Sequence, residues 1–170
     1  MMKNLLLGLL LFNSIQLLAQ SQTRVDTNAV KTIDGIVNET LKIISGEQGK
    51  ERDWEFFRQL FLPEAQFSVL HHLKDGTRKI KTLTVQEFVD LVEKSSQNNS
   101  FIELEIGKVM DEYNGIAQVF QSYYAKQNTT EERGINSIQL VNDGIRWWIV
   151  SILWTSDRNG VKIPKKYLKK

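Results

Sequence analysis

The sequence has no cysteine, and only two histidines and two prolines among 170 residues. Without cysteine there is no disulfide and no lipid-modified cysteine at an export junction, so the folded chain must rest on its core. The two histidines are neighbours, His71 and His72, in a strand-like run. Adjacent strand residues point to opposite faces, so the pair cannot hold one metal from that element. No other His, Cys or carboxylate cluster has ligand spacing, and the sequence predicts no metal site and no cofactor. A phosphate-cradling glycine loop, a nucleophile elbow and a dinucleotide fingerprint are also missing. Charge of one sign is scarce too: 22 basic against 20 acidic side chains leave +2, too little to point to nucleic acid.

Long apolar runs are confined to the start of the chain. "MMKNLLLGLLLFNSIQLLAQ" carries Lys3, an apolar stretch from Leu5 to Phe12, and the small Ala19 before Gln20. This is the pattern of a signal peptide over residues 1–20, with cleavage expected near Ala19 or Gln20. Its apolar stretch is too short to span a bilayer. The expectation is a periplasmic or secreted bacterial protein, with no transmembrane segment in the mature chain. The other end, residues 157–170, reads as a basic tail. Lys162, Lys165, Lys166, Lys169 and Lys170 supply its charge, and without them the formal +2 becomes −3.

Between these ends the hydrophobic period changes along the chain. Ile33, Ile36, Val37, Leu41 and Ile44 recur at three and four, predicting a helix that ends at Gly46. Asp53 can cap a second helix carrying Trp54, Phe57 and Phe61, which Pro63 is expected to stop. "AQFSVLHHL" and Arg78–Leu83, joined through Lys74-Asp75-Gly76, predict a hairpin. Thr84 and Glu87 form a capping box before a third helix that keeps Val85, Phe88, Val89 and Val92 on one face. Ile102, Leu104 and Ile106 then alternate with Glu103 and Glu105, which predicts a strand with its acids in solvent. Asn114-Gly115 marks a hairpin, "NTTEERG" a longer connection, and Asn142-Asp143-Gly144 the turn before the last strand. The order α-α-β-β-α-β-β-β-β predicts an α+β domain over residues 25–156, with helices on one face of an antiparallel sheet.

This order, with "DWEFFRQLFLPEAQF", "TVQEFVDLVE" and "INSIQLVNDGIRWWIVSILW", resembles the nuclear transport factor 2-like, or cystatin-like cone, superfamily. It looks closest to small exported bacterial members without assigned activity. The resemblance implies a strongly curved sheet wrapped around three helices, with a conical pocket between them. Members include ketosteroid isomerases, polyketide cyclases, dehydratases and non-catalytic binding proteins, and many dimerise through the outer sheet face.

The stretch "IRWWIVSILW" is apolar on both parities, which suits a strand that packs helices on one side and a second subunit on the other. A homodimer surface on the outer sheet face is therefore expected, alongside a small apolar or amphiphilic ligand inside. The expected pocket residues are Trp54, Phe57, His71, Tyr124 and Trp148, with Trp148 taken as a large buried ring. His71 shares parity with Phe67 and Val69, and one of Tyr123 and Tyr124 should look inward as a hydrogen-bond donor. No carboxylate pairs with such a phenol on the sequence pattern. The leading expectation is a non-catalytic binding or interaction domain. The alternative is an isomerase, cyclase or dehydratase using proton transfer by His71 or an unassigned carboxylate.

Overall fold

The structure is a computed structural model that describes residues 28–168. The expected signal peptide, and the tail residues Lys169 and Lys170, lie outside the described residues. Three α-helices and six strands follow in the predicted order: α1 (Ile33–Ile44), α2 (Trp54–Gln59), β1 (Phe61–His72), β2 (Arg78–Thr84), α3 (Val85–Ser96), β3 (Phe101–Tyr113), β4 (Ile116–Gln127), β5 (Thr130–Asn142) and β6 (Trp147–Ser156).

Local chemistry explains the helix starts. Thr32 accepts from the Gly35 N–H at α1, and Asp53 from the Phe56 N–H at α2. The capping box at α3 is complete: Thr84 Oγ1 accepts from the Glu87 N–H while Glu87 Oε2 accepts from the Thr84 N–H. α2 is shorter than its spacing predicts. It ends at Gln59, and Pro63 sits inside β1, where pairing with β6 is interrupted between Phe61 and Gln66. A strand tolerates proline where a ladder bond is already missing.

The six strands form one sheet in the order β2-β1-β6-β5-β4-β3. All neighbours are antiparallel except β1 and β6, so the sheet is mixed. That parallel seam arises because the β3–β6 meander returns beside the opening hairpin. The predicted "NTTEERG" connection is instead a tight turn at Asn128-Thr129, with Asn128 in the left-handed region at φ 53°. Glu131, Glu132 and Arg133 are therefore strand residues.

Bulges bend the sheet and decide which side chains face the helices. In β6 the pairing steps from Leu140↔Ile149 to Gln139↔Ser151, leaving Val150 as the extra residue. The inward parity changes there: Trp147 and Ile149 are buried before the bulge, and Ile152 after it, where Trp154 packs against the same core. In β3 the step from Glu105↔Tyr123 to Gly107↔Ser122 does the same at Ile106.

α1 lies across the concave face, burying Ile36, Val37 and Leu41. At the narrow end Phe57, Phe61, Phe67 and Phe88 pack ring on ring, with Phe67 and Phe88 parallel at 4.0 Å. The basic tail is tied to the domain at two places, the pair Asp157 and Arg158 and the Lys165–Tyr167 turn. Its Lys165–Tyr167 turn lies on the convex face, where Ser122 Oγ donates to the Tyr167 carbonyl and the Phe120 and Tyr167 rings approach to 4.9 Å. Gly107 is needed there, since a Cβ would run into the backbone of Tyr167 and Leu168.

Candidate functional site

Between α1, α3 and the concave face of β3–β6 lies a cavity of about 240 Å³. An apolar cavity of about 150 Å³ already accommodates benzene. One wall is apolar, with Val37 and Leu41 from α1, Val92 from α3, and the rings of Phe67, Phe88 and Trp154. The opposite wall is polar and comes from three adjacent strands: Glu103 on β3, Gln121 and Tyr123 on β4, and Glu132 and Asn136 on β5. Leu91 and Gln127, both exposed, mark its rim.

The polar wall is wired together. Asn136 Nδ2 donates to Glu103 Oε1 at 2.8 Å and to Gln121 Oε1 at 3.3 Å. Gln121 Nε2 donates to Glu105 Oε2 at 2.9 Å, and Lys108 Nζ bridges Glu105 to Asp34 on α1. This chain of bonds runs from the surface to the cavity and orders the amides around Glu103. Burial raises the Glu103 carboxyl to about 7. The bond from Asn136 opposes that shift, and the charge of Glu132 adds to it. Burial, followed by the charges of Glu132, Glu103 and Asp157, holds the Tyr123 phenol well above its usual range. The cavity thus contains a carboxyl that titrates near neutrality and a phenol that stays protonated. Arg52 also lines it, but its guanidinium donates to the carbonyls of Ile44, Gly46 and Lys50.

Comparison with solved structures places this architecture. An NTF-2 like protein of unknown function from Pseudomonas aeruginosa superposes with a TM-score of 0.56 at 10% identity, covering 71% of this chain and 94% of its own. An NTF2-like protein from Cytophaga hutchinsonii gives 0.55 at 11% identity, covering 71% and 92%. The fold is the nuclear transport factor 2-like cone. A candidate scytalone dehydratase from Novosphingobium aromaticivorans shares it, with a TM-score of 0.56 at 11% identity, covering 73% of this chain and 80% of its own. The sequence matches no family model and no curated protein.

Within this cone the five residues expected to form the pocket are scattered. Trp54 and Phe57 meet edge to face in the core below the cavity. His71 is exposed and lines a separate cleft with His72 and Arg158, which shares Tyr123, Glu132 and Trp154 with the cavity wall. Tyr124 pairs with Leu104 and Arg133 and lies beside Leu168 on the convex side, whereas Tyr123 faces inward. Trp148 is half-buried on the convex side. Its Nε1 donates to Asp143 Oδ2 at 2.8 Å under the Arg146 guanidinium, and that bond, with two backbone N–H groups, holds Asp143 down at about 2.

Glu103 and Glu132 are the acids that sequence patterning assigns to solvent or to a loop. On β3 the alternation is inverted: Glu103 faces the cavity, while Ile102 and Leu104 stay 42% and 49% exposed on the convex face. On β4 the alternation does not choose between the two tyrosines: Ala117, Val119 and Ala125 share the parity of Tyr123, but Ile116 and Phe120 share that of Tyr124.

Proposed function

We propose that this protein is an exported homodimer that binds a small amphiphilic molecule in its cone. The supporting observation is the cavity itself, with aromatic and aliphatic side chains on one wall and converging, bonded polar groups on the other. Such a site draws affinity from burial and orientation from a few polar contacts. Export rests on the N-terminal pattern, and dimerisation on the exposed convex-face apolar side chains Ile102, Leu104 and Leu153.

Native mass spectrometry of protein recovered from its own export route tests the three parts together. The expected result is a dimer of chains shortened near Ala19 or Gln20, carrying an added small mass that leaves on activation. Val92→Trp should fill the cavity from α3, keep the dimer and lose the added mass. Protein without added mass, whose spectrum of Trp154 also ignores a panel of small amphiphiles, would overturn the binding reading. A full-length or monomeric mass would overturn export or dimerisation respectively.

A second reading, proton-transfer catalysis, has one specific observation behind it. Glu103, titrating near 7, and the protonated Tyr123 phenol line the same cavity. A base tuned to operating pH beside a neutral donor suits isomerisation or dehydration of a carbonyl compound. Under this reading Glu103→Gln loses turnover by at least about 100-fold while still retaining ligand. Turnover unchanged in that variant would exclude Glu103 as the base.

A further inference from the structure

The carboxylates of the cavity say more about its occupant than its shape does. Glu103 and Glu132 flank Ala125, being paired to it from opposite sides on β3 and β5. Strands lie about 4.8 Å apart, so the two acidic residues sit about 10 Å apart across a methyl group. The small residue between them leaves the space open. Glu103 Oε1 accepts from Asn136, and among the described residues no bond is made to Oε2 and no cation pairs with the group. Among the described residues, the charge that acts on Glu103 is that of a second acid, Glu132. Glu132 is met from outside by Arg158 at 2.6 Å. Among the described residues, Arg52 is the one cation that the other elements bring to the lining, and its guanidinium is turned to backbone carbonyls and makes no ion pair with Glu103; α3 contributes Ser95 and Ser96, and β4 the neutral Tyr123. Facing the acids are Trp154, Phe67 and Phe88, whose rings attract cations through their faces and apolar bodies through burial.

We infer that the cone selects organic cations: a protonated amine seated on Glu103 Oε2, carried by an aromatic or aliphatic body packed against Trp154 and Phe88. This rests on the reading of the cone as a ligand site and adds the sign of the ligand's charge. An acid held away from bulk water without a counter-ion is disfavoured as the anion, and an ammonium bound at the cavity-facing Oε2 would supply the counter-charge. An anionic ligand would meet the uncompensated carboxylate of Glu103 instead. The carboxyl of Glu103, held at about 7 while the cone is empty, would drop as an amine binds.

Three probes of one shape separate the possibilities at pH 8, where the amine is charged and Glu103 is ionised. They are 2-phenylethylamine, neutral propylbenzene and anionic 3-phenylpropanoate, titrated against the full mature chain by NMR. The amine is expected to bind at least ten-fold more tightly than propylbenzene, and the carboxylate not at all. In Glu103→Gln the amine's advantage should fall at least five-fold, with propylbenzene affinity preserved. That second measurement also reports that the variant is folded. Propylbenzene binding as tightly as the amine would overturn the charge inference and leave the cone reading standing. If none of the three perturbs the cavity resonances, both are overturned.

Discussion

Replacing Trp147 by alanine is expected to destabilise the protein by about 3–5 kcal/mol, while the same change at Trp148 costs about 1 kcal/mol. The two indoles are chain neighbours on one strand and point to opposite faces. Trp147 is 6% exposed and belongs to the core cluster behind α1 and α2. Its removal leaves a void among packed side chains that relax only in part. Trp148 stands on the convex side, tied to Asp143 and stacked under Arg146. Alanine there loses one surface hydrogen bond and a cation–π contact, which are small terms in water. Equilibrium urea unfolding measures both. Equal losses for the two variants would mean that the facing of β6 is wrong.

The second large effect is electrostatic. The fold raises the Glu103 carboxyl to about 7, against an ordinary value of 4.5. Between those values the folded chain binds a proton that the unfolded chain has released. The stabilisation from Glu103 is therefore fully present below pH 4.5 and is lost as pH rises through 7. The shift corresponds to at most about 3 kcal/mol, an upper bound because Glu103 is only half-buried where it lines the cavity. Glu103→Gln keeps an acceptor for Asn136 and removes the titration. Wild type and variant should have nearly equal stability at pH 4.5, and the variant should be the more stable at pH 8. Parallel stability curves across that range would rule out a buried, elevated Glu103. The comparison must be between the two proteins, since other carboxylates titrate in both.

These two residues show where reading the chain reaches its limit. Trp147 and Trp148 have the same chemistry, and alternation alone makes one buried without saying which. Val150 then breaks the alternation, so Ile152 and Trp154 face in although they share parity with Trp148. The two-sided oiliness of "IRWWIVSILW" thus comes largely from a change of facing within one strand. Glu103 is the sharper case. Hydrophobic patterning sends it to water, yet β3 keeps Ile102 and Leu104 outside and carries the acid into the cone.

What the sequence determined by itself is the set of elements and their order. Helix caps such as Thr32, Asp53 and the Thr84–Glu87 box act over three or four residues, as do turn residues and hydrophobic periods, so they can be read one segment at a time. The α+β cone follows from that order. The tertiary structure alone decided which face of each strand lines the cavity. That choice depends on register between strands far apart in the chain and on single extra residues at Ile106 and Val150. Each shifts the facing of every residue beyond it. For that reason the acids and the phenol of the cavity, Glu103, Glu132 and Tyr123, come together only once β3, β4 and β5 are paired.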